Sequence, residues 1–182
     1  MVVFDANTLM ILIAPAIGSP IDSNGSKISH ARERLDGLID QLAKENVTII
    51  LPTPALSEAL VRAGATARKV YIEKFQRHKG FRIESFDERA ALEVARMTSD
   101  AIAGPGKRSG STEPWHKIKY DRQIIAIAKV SGATAIYSDD KGLRTFAYGQ
   151  GLNSVSLADL PIPLKTAQYD WVSDVEQNTS AE

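Results

Sequence analysis

A chain of 182 residues and 19.8 kDa suits one domain and is short for two. With 43% hydrophobic and 24% charged residues it is globular in composition, which excludes a disordered or fibrous chain, and zero cysteines exclude a disulfide scaffold, a thiolate nucleophile and a zinc–sulfur site. Lys+Arg and Asp+Glu balance at 22 each, so any hold on nucleic acid must come from a local patch.

The opening Met1-Val2-Val3-Phe4-Asp5 lacks the basic stretch of a targeting segment, and the apolar run 9–17 is too short to span a bilayer. The expectation is a soluble cytoplasmic protein with no membrane partner. Val2-Val3-Phe4 reads as a short strand, followed by the apolar 9–13 and a loop of Pro, Gly and Ser over 15–29. A helix is predicted over 31–44, with Leu35, Leu38, Ile39 and Leu42 on one face. The run 47–51 is apolar on both faces, as in a covered parallel strand; Thr53 then reads as a helix cap and Pro54 as its first position.

A helix over 66–78 stops at Gly80, 81–86 alternates like a strand, and 90–102 is helical. Residues 104–114 read as a mobile loop, 118–130 as a helix ending at Gly132, 133–137 as a buried strand and 155–157 as a last one. Alternating strands and helices joined by short turns predict a three-layer α/β domain with a mainly parallel sheet. The domain is expected over 1–158, with a tail of net charge −4 over 159–182.

Parallel sheets build sites at the carboxyl ends of their strands. Asp5 follows the first strand, Asp139 and Asp140 follow 133–137, and Glu58 sits on the helix that leaves 47–51. Asp121 has apolar Ile124 and Ile125 three and four residues on, so it faces along the buried stripe of its helix. Taken singly, Asp5 is equally an Asx turn, Asp139 or Asp140 a helix cap, and Glu58 an ordinary helical residue. Together the acids of four segments meet in one cleft, where crowded carboxylates disfavour one another's charge unless a cation joins them. With the three histidines read as lying elsewhere, the ligand set is oxygen only, which suits Mg²⁺ or Mn²⁺ and points to phosphoryl transfer or phosphodiester hydrolysis. An aspartate-nucleophile phosphatase would need an acid two residues after the first, where Asn7 stands.

Four segments resemble, in order, the motifs of PIN-domain nucleases. Val2-Val3-Phe4-Asp5-Ala6-Asn7-Thr8 is similar to their opening strand and turn, and Pro52-Thr53-Pro54-Ala55-Leu56-Ser57-Glu58 to the second motif. Tyr120-Asp121-Arg122-Gln123-Ile124 resembles the third and Tyr137-Ser138-Asp139-Asp140 the fourth, with Ser138 and Asp140 in the places of its Thr-x-Asp. The resemblance implies a PIN-like endoribonuclease dependent on Mg²⁺ or Mn²⁺. Its catalytic and metal residues would be Asp5, Glu58, Asp121 and Asp140, with Asp139 a secondary ligand and Asn7 and Ser138 in hydrogen-bonding support. The bacterial VapC-type toxins are the most populous relatives, which implies RNA as substrate, an antitoxin or inhibitor protein as partner, and a homodimer. A PIN-like RNA-binding scaffold without turnover is the alternative.

Between Arg62 and Arg82 seven basic residues face Glu73 alone. The run reads either as a solvated helix face or as a phosphate-tracking patch carried by Arg68, Lys69 and Arg77. Lys107, Arg108, Lys117, Lys119 and Arg122 surround Trp115, which reads either as a base-stacking platform or as a core or interface aromatic.

Overall fold

The structure is a computed structural model that describes residues 1–14, 20–22, 25–104 and 106–163. Five strands form its sheet: β1 (Val2–Phe4), β2 (Ile49–Pro52), β3 (Phe81–Glu84), β4 (Ala135–Tyr137) and β5 (Asn153–Val155). Their order is β3-β2-β1-β4-β5 and every pairing is parallel. Around them run α1 (Ala6–Ile13), α2 (Ala31–Lys44), α3 (Thr53–Val61), α4 (Ala65–Arg77), α5 (Glu88–Ala103), α6 (Trp115–Val130) and α7 (Lys141–Gly149).

The inner strands β1, β2 and β4 are short and apolar on both faces because helices cover both, whereas the edge strands β3 and β5 carry polar, partly exposed residues. Val3, Phe4, Ile50, Leu51 and Ile136 are fully buried. From β1 the chain crosses one way to β2 and β3, then returns to β1's other edge at β4. The right-handed rule for such crossovers sets the helices of the first excursion on one face of the sheet and those of the second on the other. The crossover direction therefore reverses between β1 and β4, and their carboxyl ends flank the crevice where open α/β sheets take their ligands.

Local chemistry explains most boundaries. α2 spans the predicted 31–44, and its one polar buried residue, Asp36, receives Arg32 Nε at 2.9 Å on both oxygens. Arg32 Nη1 also reaches the last carbonyls of α1, at Ile11 and Leu12, tying the two helices together. α3 begins one residue earlier than the sequence suggests: Pro52 is its cap residue, and the Thr53 hydroxyl instead accepts the amide of Phe86 at 3.2 Å, beyond the end of β3. The run 9–13 is the body of α1, with Leu9, Leu12 and Ile13 buried, and Trp115 opens α6 rather than closing a loop.

The last strand sits at Asn153–Val155, two residues earlier than predicted, and 157–159 is instead a 3-10 turn. Arg34 Nη1 donates to the carbonyl of Ala158 within this turn and to that of Leu160 after it, and Pro163 packs on Gly37, so the chain follows α2 as far as residue 163. Of the acidic tail expected over 159–182, residues 164–182 lie outside the described residues, as do 15–19 and 23–24 of the loop expected over 15–29. No helix among the described residues is long and apolar enough to cross a membrane.

Candidate active site

Two of the sequence-selected acids cap helices as they enter the crevice. Asp5 ends β1 in an extended conformation, and its Oδ1 accepts the Thr8 amide at 2.8 Å, starting α1. Asp140 does the same for α7, its Oδ1 accepting the Leu143 amide at 2.9 Å. Ser138 joins them. Its hydroxyl donates to Asp5 Oδ2 at 2.5 Å and accepts the Asp140 amide at 3.0 Å. The strand-to-helix turns thus both begin the helices and fix the carboxylates, so the cap and ligand readings of Asp5 and Asp140 are compatible.

Asp5, Glu58, Asp121 and Asp140 all line one cavity of about 580 Å³, together with Asn7, Ser57, His116, Lys117 and Tyr120. Glu58 is exposed at its rim, whereas Asp5 is 3% exposed. Burial lifts Asp5 to about 6 against the hydrogen bonds of Ser138 and Thr8. Burial likewise lifts Asp121 to about 6, with Lys117 opposing the rise and Asp140 adding to it. Burial also pushes Asp140 up, but Lys117 and the amides of Leu143 and Gly142 outweigh it and hold its carboxyl below the ordinary range.

Lys117 is the residue whose role the sequence reading missed. Its Nζ lies 2.8 Å from Asp140 Oδ2 and 3.6 Å from both Asp121 Oδ2 and Glu113 Oε1. Burial lowers its pKa, but these carboxylates outweigh that and raise it above the usual lysine range. The signal was available, because Lys117 stands four residues before Asp121 on one helix. Gly142 makes room for the arrangement: a Cβ there would stand 3.2 Å from Asp140 Oδ1 and 3.5 Å from Lys117 Nζ. His116 also lines the cavity, which corrects the reading that all three histidines sit elsewhere.

Asp139 goes another way. It is 5% exposed and does not line the cavity; its Oδ1 accepts the Ser156 hydroxyl at 2.6 Å and the Leu157 amide at 2.9 Å. Adjacent residues at the end of a strand point to opposite sides, so Asp139 ties β4 to the turn after β5 while Asp140 faces the crevice.

None of the six residues selected for nucleic acid (Arg68, Lys69, Arg77, Lys107, Arg108, Lys119) lines the carboxylate cavity. Arg68 Nε closes the end of α3, donating to the carbonyls of Leu60 and Ala63 at 3.0 Å each, and Arg77 leans on Glu73 at 3.9 Å. Lys69 and Lys119 are exposed. Trp115 is half-buried, with Lys107 Nζ 5.2 Å and Arg122 Cζ 5.4 Å from its ring centre, so its faces already carry cations. Arg122, grouped with the accessible charges by sequence, is instead 1% exposed; it lies one turn after Ile118 on the buried stripe of α6. It holds the preceding loop, donating to the Lys107 carbonyl at 2.6 Å and to Ser109 Oγ at 3.1 Å.

Among the described residues no three His, Asp or Glu side chains converge closely enough to hold a metal ion as they stand. The donors nevertheless suit a hard divalent cation, being carboxylate oxygens of which two, Asp5 and Asp121, are lifted toward neutrality by burial. Lys117 is the positive charge lodged between Asp121 and Asp140.

No family model matches the chain, and no curated protein matches it. Among solved structures it is similar to a chain of VapBC2 from Rickettsia felis, crystallised bound to a DNA fragment from its promoter. The TM-score is 0.56 at 14% identity, over 86% of this chain and 98% of that one. The fold is α/β and PIN-like.

Proposed function

We propose that the chain is a metal-dependent endoribonuclease that hydrolyses RNA phosphodiester bonds in the carboxylate cavity. The observation that supports this most is the convergence of Asp5, Glu58, Asp121 and Asp140, from four separate segments, on one cavity at the point where the crossovers reverse. Asp5, Asp121 and Asp140 would hold Mg²⁺ or Mn²⁺, with Glu58 reaching in from the rim. The bound ion supplies charge neutralisation and activation of water for attack at phosphorus. The chain's own part is positional: the two helix caps and Ser138 fix Asp5 and Asp140, and buried Asp5 holds its charge at a cost that a cation relieves. Lys117 Nζ, 2.8 Å from Asp140 Oδ2, would have to yield its place there to the ion. The Rickettsia felis structure is of a VapBC complex, and we extend from it that this chain is the toxin of such a pair, with an antitoxin as partner, acting as a homodimer in the cytoplasm.

One observation favours a non-catalytic RNA-binding scaffold, namely Lys117 lodged among the acids as a built-in counter-ion. One assay separates the readings: single-stranded RNA is incubated with the protein in Mn²⁺ and in excess chelator. The nuclease reading expects cleavage in Mn²⁺ only. Undiminished cleavage in chelator, or none in either, rejects it.

A further inference from the structure

A second cavity, of about 520 Å³, adjoins the first and shares Asp121 with it. Its walls are the loop 108–113, the flank of α6 and the first turns of α7. Behind its surface lies the Arg122 guanidinium, between the rings of Trp115 and Phe146 at 5.4 and 5.5 Å. Among the described residues every acceptor it reaches is neutral: Thr98 Oγ1 at 2.9 Å, the Lys107 carbonyl and Ser109 Oγ. Its buried Nε has no partner among the described residues, and no ion pair to Arg122 forms among them. Burial pushes its pKa down. A buried cation with no counter-charge is unfavourable and is expected to draw an anion to its vicinity.

The cavity is furnished for one. Arg108 and Lys141 stand exposed on its wall, and Ser109, Ser111 and Thr145 bring hydroxyls. Two acids also reach the wall, Glu113 and Asp121, but both are engaged with Lys117 at 3.6 Å. Three cations thus face two carboxylates that already share a fourth.

We propose that this second cavity is an anion subsite that seats a non-scissile phosphate of the nucleic-acid strand whose scissile bond lies in the carboxylate cavity. The proposal rests on the nuclease reading for the identity of the strand, and it deepens that reading by giving the strand a direction across the protein, over Asp121. Arg108, Lys141 and the hydroxyls contact the phosphate, while Arg122 contributes its field from behind.

The test uses the full chain in chelator, so that nothing is cut. A short single-stranded oligoribonucleotide and, separately, inorganic phosphate are titrated while backbone amides are followed by NMR. The double variant Arg108→Gln/Lys141→Gln changes only exposed side chains. The oligonucleotide should shift amides of 108–113 and 141–145 as well as those around Asp5, and inorganic phosphate should shift the first two groups. The double variant should bind the oligonucleotide roughly tenfold more weakly. Its log–log salt slope should be shallower by about 0.7 per lost phosphate contact, with an unchanged melting temperature. Shifts confined to the carboxylate cavity, with equal affinity in parent and variant, overturn the subsite while leaving the nuclease reading standing. Phosphate shifts without oligonucleotide binding, together with no Mn²⁺-dependent cleavage, overturn both and leave an adventitious ion only.

Discussion

Asp139 and Asp140 are neighbours with opposite surroundings, and substitutions should separate them. Asp139→Ala removes the acceptor of the Ser156 hydroxyl and the Leu157 amide, so it should cost about 2–3 kcal/mol in denaturant unfolding. Asp139→Asn keeps an oxygen for both donors and should stay close to the parent. A tolerated alanine would mean that these bonds do not hold the end of the sheet. Asp121 bears on pH instead. Its pKa rises on folding from the usual carboxylate value to about 6, chiefly through burial. The folded state therefore binds more protons, and metal-free stability falls as pH rises from about 4 to about 6. Asp121→Asn should stabilise the metal-free protein by about 1–2 kcal/mol above pH 7, and this gain should vanish near pH 4. A variant less stable than the parent at pH 7.5 would make Asp121 a structural partner of Lys117.

At the level of elements, α5 and α6 are joined by Glu93, which meets Lys129 Nζ at 2.7 Å and Arg96 at 2.7 Å. Arg96 first and then Lys129, against some burial, hold the Glu93 carboxyl down near 2. A lowered pKa gives stability that is present above the ordinary glutamate value and lost as pH falls toward 2. Glu93→Gln should cost no more than about 1 kcal/mol at pH 7, because Arg96 is half exposed, and nothing near pH 2. A cost that persists at pH 2 would show that packing, not charge, joins the helices there. Most elements were legible in the sequence where one pattern dominated. The apolar spacing of Leu35, Leu38, Ile39 and Leu42 marks α2 along its whole length. α7 carries a stripe too, Leu143, Phe146 and Ala147, but the helix is only nine residues long and two glycines interrupt its composition, so the pattern is too short to stand out. α1 escaped for the opposite reason: it is apolar on nearly every face, so periodicity does not distinguish it from a strand.

For the molecule as a whole, the crossover reversal between β1 and β4 gathers residues more than a hundred positions apart, and order along the chain was enough to expect that. What the order did not carry was direction. The inward turn of Arg122, the insertion of Lys117 between carboxylates and the burial of Asp139 each depend on which side of an element meets a neighbour. In a cavity where Asp5 and Asp121 are each half-protonated near pH 6, binding of a divalent ion should release about one proton at that pH and almost none at pH 8. Calorimetry of Mn²⁺ binding in buffers of different ionisation heat measures this; equal release at both pH values would place the ion away from these two acids. The same ion should raise the melting temperature of the parent more than that of Asp121→Asn.

The most direct measurement is cleavage of single-stranded RNA by the parent, Asp140→Asn and Asp139→Asn, each in Mn²⁺ and in excess chelator. Cleavage should appear only in Mn²⁺, fall by a factor of at least about a hundred in Asp140→Asn, and persist near the parental rate in Asp139→Asn, because only Asp140 faces the cavity. Metal-independent cleavage, or a larger loss in Asp139→Asn than in Asp140→Asn, would contradict a metal-dependent site built on Asp5, Glu58, Asp121 and Asp140.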